Sequence, residues 1–187
     1  MPLANTNLPG QEPGAPFDGQ KPLDPVAARA AETAMAPDRF WELIAVLNGS
    51  TEAEDLEQLI AALAQSPIDD IVAFHRRLIV TLYELDYRAR YDWRVAHDPS
   101  GMDHLGDDGF LYARADTIAA GREAYDHAIT HGTLPWGSVD PESGGGESLL
   151  YAAVEASERI GAFERFERGV ADLPIGYETG SNPAGGW

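Results

Sequence analysis

No cysteine occurs among the 187 residues, so disulfides, thiolate metal sites and cysteine nucleophiles are excluded. Lysine is almost absent: Lys21 stands alone beside twelve arginines. Acids outnumber both, and the net charge is -18. Such a surface repels phosphate backbones and anionic bilayers, so nucleic acid and membrane are not expected partners. No apolar run approaches the roughly 18 residues of a membrane span. No basic stretch followed by an apolar one opens the chain, so no signal peptide is visible and a cytoplasmic protein is expected. No period-two alternation of any length and no internal repeat are present, which argues against strands and against a solenoid.

What is present suits one helical domain. Apolar residues make up 44% of the chain, enough for a core. Residues 1–36 read as a largely disordered Pro/Gly-rich segment, because proline removes backbone donors and glycine adds entropy. Within it, Asp24-Pro25 resembles a helix cap followed by proline at the first helical position. Residues 37–173 read as the helical domain, and residues 174–187 as a flexible tail.

Inside the domain the apolar residues step by three or four. Phe40, Trp41, Ile44 and Leu47 form one stripe, closed by Asn48-Gly49. Thr51 and Glu54 have capping-box spacing ahead of Leu56, Leu59, Ile60 and Leu63. A long stripe from Ile68 to Trp93 predicts a single helix from Pro67 to about His97. A second, from Leu111 to Ile129, predicts another long helix with Gly121 inside it as a kink. A last one begins near Leu149 and runs to about Ala171, with Gly161 as an interruption. The expected class is all-α, an irregular bundle of five or six helices with disordered tails. The expected core is Trp41, Ile44, Leu78, Leu82, Leu85, Leu111, Ile118 and Leu150.

Several of these blocks resemble a known family. FWELI (Phe40 to Ile44), the long helix ending at Tyr87-Arg88, GDDGFLYAR (Gly106 to Arg114) with Gly121 after it, and ESLLYAAVEA (Glu147 to Ala156) follow in its order. The chain is similar over about Asp38 to Gly161 to the uncharacterised bacterial, actinomycete-type family known as domain of unknown function 4240. The resemblance implies a helical fold. It implies no reaction, because the family has none assigned.

Four constellations are candidates for function. His97, Asp98, Asp103, His104, Asp107 and Asp108 fall close together, and His with carboxylate is the ligand chemistry of zinc, manganese or iron. Their spacing matches no ligand motif. Capping of the next helix by Asp107 or Asp108, with His97 on a helix C-terminus, accounts for them without a metal. No metal and no cofactor are therefore expected. Arg76, Arg77, Arg88, Arg90 and Arg94 form a basic island interleaved with Tyr83, Tyr87, Tyr91 and Trp93. Arginine beside aromatics binds phosphates or acidic peptides, but in so acidic a chain internal pairing with acids on the adjacent helix is expected. Arg114 and Arg122 lie eight residues apart, on one helical face, where salt bridges to Asp86 or Asp92 compete with anion binding. Tyr177 and Trp187 are unusual in a solvated tail and suit a segment that docks.

Catalytic signatures are missing: adjacent acids such as Asp69-Asp70 diverge on a helix, and Gly144-Gly145-Gly146 lacks the other parts of a phosphate loop. The composition therefore favours a non-catalytic interaction module for a protein or peptide partner, basic by charge. The candidate binding residues are Arg88, Tyr91, Trp93, His97, His104, Asp107, Asp108, Arg114, Arg122, Tyr177 and Trp187. Two alternatives stand beside it. One is an enzyme with a His/Asp site around His97 to Asp108. The other is a carrier domain whose C-terminal tail is processed or modified. Partner identity and oligomeric state are not legible in the sequence.

Overall fold

A computed structural model describes residues 17, 19–97, 104–134 and 146–187. The described residues are all helical, with nine α-helices and no strand. They are α1 (Pro25–Glu32), α2 (Pro37–Ile44), α3 (Ala53–Ala64), α4 (Ile68–Leu85), α5 (Arg88–Ala96), α6 (Asp107–Ala119), α7 (Arg122–His131), α8 (Glu147–Arg159) and α9 (Phe163–Val170). A single 3-10 turn, Ala45–Leu47, follows α2. The all-α class holds; the expected count of five or six does not.

The excess arises because stripes read as continuous are broken. The helix expected over 67–97 ends at Leu85, and Asp86 (φ -78°, ψ 75°) turns the chain before α5. The apolar spacing of the sequence runs on through Ala89 and Trp93, so periodicity alone does not reveal the break; α5 in fact buries Arg90 and Arg94 and leaves Ala89 exposed. The second long helix is divided at Gly121, whose φ of 99° is open to glycine and costly for other residues. The last is divided between Arg159 and Phe163, around Gly161. In each case the turn reverses or redirects a segment too long to bury its whole length in a small domain.

Local start signals fared unevenly. Asp24 caps α1 as expected, accepting from the amides of Val26 and Ala27 at 2.8 and 2.9 Å. The Thr51–Glu54 capping box does not form: Glu52 is the cap residue of α3, with no side-chain cap bond. Likewise α6 is capped by Gly106, and Asp107 and Asp108 lie in its first turn. There they favour the helix dipole without satisfying an amide.

The core centres on α4. It packs against α1, α6, α8 and α9, while α3 lies against α8. Of the expected core, Ile44, Leu78, Leu82, Leu85, Leu111 and Ile118 are buried. Trp41 and Leu150 are half-buried against it. Phe40, Phe74 and Phe110 complete the interior. No described helix is long and apolar enough to cross a membrane.

Residues 174–187 carry no helix or strand, as expected of the tail, yet the segment is tied down along α4, α5 and α6. Ile175 and Tyr177 pack against the core, and Asn182 is buried.

Candidate functional site

The basic island turns inward. Arg76 donates through Nε and Nη2 to the Gly169 carbonyl at 3.1 and 2.6 Å, through Nη1 to Thr33 Oγ1, and pairs with Asp172. Arg77 holds the Met35 and Ala31 carbonyls at 2.7 and 3.2 Å, fastening α1 to α4. Arg90 is fully buried, donates to the Ala128, Ile129 and Glu84 carbonyls and to Gln20, and stacks on Phe17 and Tyr87. Burial brings its pKa down to about 10. The expected internal use is present, with one correction: the partners are mostly backbone carbonyls, not acids on a neighbouring helix. Helix ends leave carbonyls unpaired, and the nine helices of the described residues have many. Arg88 is the outward member, paired with Asp92 at 2.8 Å and lying over Tyr91.

Arg114 and Arg122 do not share a face, because Gly121 intervenes. Arg122 lies on the surface and pairs with Asp38 at 2.8 Å and Asp126 at 3.7 Å. Arg114 is fully buried, 3.8 Å from Asp86 Oδ1, so the pairing with Asp86 is the one that forms. It also donates to the Leu82 carbonyl at 3.0 Å and the Tyr177 carbonyl at 2.9 Å. Burial lowers its pKa to about 10, and Asp86 opposes that shift.

Asp86 serves the tail as well. Its Oδ1 accepts from the Gly180 amide at 3.1 Å and its Oδ2 from the Asn182 amide at 2.9 Å. Its own carbonyl accepts from the Trp187 indole at 3.4 Å. The Trp187 ring meets Tyr91 and Phe110 edge-on at 5.8 and 5.6 Å. Tyr91 in turn fixes Leu105, donating to its carbonyl at 2.7 Å and accepting from its amide at 3.1 Å. Thus Arg88, Tyr91, Arg114, Tyr177 and Trp187, all singled out from sequence, converge on one end of α4–α6. Asp86 is the residue at its centre, and it was named only as a partner of Arg114. An acid embedded in an apolar stripe was the available signal.

The described members of the His/Asp group, His97, His104, Asp107 and Asp108, supply no cluster of three ligands. His97 is exposed at the end of α5, with its ring stacked on Trp93 at 4.3 Å and Nδ1 2.8 Å from the Trp93 carbonyl. His104, Asp107 and Asp108 are exposed, the last two at the start of α6. Asp98 and Asp103 lie outside the described residues. Among the described residues, no three His, Asp or Glu side chains form a group that would hold a metal ion.

A second surface was not foreseen. Where α6 packs on α8, Tyr112 of α6 and Tyr177 of the tail each come within electrostatic reach of Tyr151 on α8. Burial, then Glu147, Asp108 and Tyr151, pushes the Tyr112 pKa up. Burial, then Glu178 and Tyr151, does the same to Tyr177. Tyr151 is 51% exposed, the most exposed of the large apolar side chains among the described residues. The cluster joins three rings to Asp108, Glu147 and Glu178, and no ion pair within 4 Å ties these acids to a described residue. Tyr112 and Tyr151 are far apart in sequence and carried no motif, which is why the reading passed over them.

Two buried groups complete the electrostatic picture. Asp116 on α6 accepts a backbone bond from Gly146, and its Oδ2 has no hydrogen-bond partner among the described residues. Burial raises its pKa to about 6 against the pull of Arg94. Glu84 accepts from the Tyr125 hydroxyl at 2.7 Å, and burial raises its pKa.

No curated protein and no solved structure matches the chain. A family match covers residues 35–159, that is α2 to α8, and leaves α1, α9 and the tail outside it. The chain therefore belongs to the family described as protein of unknown function (DUF4240).

Proposed function

We propose that this chain is a non-catalytic interaction module for a basic protein or peptide segment. The observation that carries the reading is the Tyr112–Tyr151–Tyr177 surface with Asp108, Glu147 and Glu178 around it. Tyrosine faces attract a lysine or arginine head group, and carboxylates beside them accept its hydrogen bonds. The net charge of -18 adds long-range attraction for a cationic partner and speeds its approach. The arginines support the reading from the other side: their use on internal carbonyls leaves the acids of this surface in excess.

Calorimetric titration with an arginine-rich peptide, and with a glutamate-rich one of equal length, tests it. The arginine-rich peptide is expected to bind, with affinity falling as salt rises. Tyr151→Ala combined with Glu147→Gln is expected to weaken binding by about tenfold, the sum of one cation–π contact and one ion pair. Equal binding of both peptides, or no change in the double variant, would refute the proposal.

A further inference from the structure

We infer that the cleft between the end of α4, the start of α5 and α6 is a peptide-binding site that reads main chain, now filled by the protein's own tail. Its ligand class is a turned, glycine-bearing peptide with an aromatic residue two positions after the glycine. The inference concerns different atoms from the tyrosine surface and goes beyond the function proposed above.

The first argument is the placement of charge. Asp86 and Arg114 are fully buried, yet 3.8 Å apart, too long for a close hydrogen-bonded pair. Each is completed by the tail. Arg114 donates to the Tyr177 carbonyl and, at 3.3 Å, to Thr179 Oγ1. Asp86 takes the Gly180 and Asn182 amides. The Arg88 amide, at the first residue of α5, donates to the Gly185 carbonyl at 2.8 Å. Four of these five contacts go to tail backbone, and tail side chains add three more, Asn182 to the Tyr83 carbonyl, Thr179 to the Asp107 carbonyl and Trp187 to the Asp86 carbonyl, so the cleft reads a turned backbone together with these side chains. A buried carboxylate and guanidinium without such partners would be costly, which makes the empty cleft avid for a replacement.

The second argument is shape. A Cβ at Gly185 would stand 2.3 Å from the Asp86 carbonyl oxygen and 2.8 Å from the Trp187 indole nitrogen. Glycine is therefore required there, followed two residues later by the ring that meets Tyr91 and Phe110.

The third argument is release. The end of the tail lies on the outside: Pro183, Gly186 and Trp187 are exposed, Trp187 by 43%. Residues 174–187 belong to no helix, so their release would leave every helix's own hydrogen bonds in place. Asp86, Tyr91, Phe110 and Arg114 all fall within the family match, and the tail does not. The cleft thus lies within the matched residues and its occupant outside them.

The test uses the full chain and a fluorescent synthetic peptide of residues 174–187. Gly185→Val dislodges the tail in place, and the peptide is expected to bind this variant with one-to-one stoichiometry. Wild type, whose cleft is filled, is expected to bind it at least about tenfold more weakly, since only the open fraction competes. A peptide carrying the same Gly185→Val change is expected not to bind. Trp187→Ala is a second, milder opening and is expected to bind the peptide between the two. With helicity unchanged by circular dichroism, failure of both variants to bind would overturn the inference, as would equal binding to wild type. Amide exchange in wild type gives an independent reading. The Gly180 and Asn182 amides are expected to exchange well before those of α4; equal protection would show that the tail is not displaceable and would overturn it too.

Discussion

Asp86 and Arg114 face each other at 3.8 Å with neither side chain exposed, and the polypeptide that closes over them is the last eleven residues of the chain. The pair sits where α4 ends, so one acid terminates a helix, balances an arginine and holds the tail.

Removing one partner leaves the other charge buried without compensation. Asp86→Ala is expected to cost about 3 to 5 kcal/mol in denaturant unfolding. Asp86→Leu combined with Arg114→Met is expected to cost less than the sum of the single changes. Additive losses would show that the two groups do not interact.

Leu82 is fully buried on α4, and Leu82→Ala is expected to cost about 2 to 5 kcal/mol. Arg122→Ala, on the surface, is expected to change stability by about half a kcal/mol at most. Urea midpoints at constant slope check both.

These expectations separate what sequence shows from what it hides. Burial of Ile44, Leu78, Leu82, Leu85, Leu111 and Ile118 follows from period alone, because a helix fixes which side chains share a face. The break at Asp86 does not follow, because the apolar spacing runs on through it, whereas Gly121 and Gly161 mark the other two. The fate of the arginines was half legible. Their number in an acidic chain points inward, but the carbonyls they serve exist only once the helix ends are placed. The tail was legible as glycine-rich and without regular structure. Its hold on Asp86 depends on a residue about ninety positions away, which no local pattern reports.

His75 gives a pH signature. Its half-buried ring packs on Phe166 at 5.2 Å, and burial, then Arg76, lowers its pKa to about 4 from 6.5. The unfolded chain then binds the proton more readily than the folded one between those values. Stability from this site is present above pH 6.5 and is lost as pH falls toward 4. His75→Leu is expected to flatten the fall in melting temperature across that window; an unchanged slope would contradict it.

Asp116 has the opposite sign. Its pKa is raised from 3.8 to about 6, so the folded protein holds the proton more tightly and loses stability as pH rises through that range. Asp116→Asn keeps an acceptor for the Gly146 amide and removes the buried charge. It is expected to stabilise the protein at pH 7 more than at pH 4, by thermal unfolding at both. The reverse order would show that Arg94 balances the carboxylate fully.

The proposal is that the acidic tyrosine surface receives a basic partner. Nuclear magnetic resonance mapping tests it most directly. An arginine-rich peptide is titrated into labelled full-length protein and the shifted amides are located. The account predicts that the shifts gather around Tyr112 on α6, Tyr151 on α8 and residues 177–178, and shrink as salt is added. Shifts spread evenly over the acidic surface, or gathered near His97 and His104 instead, would contradict it.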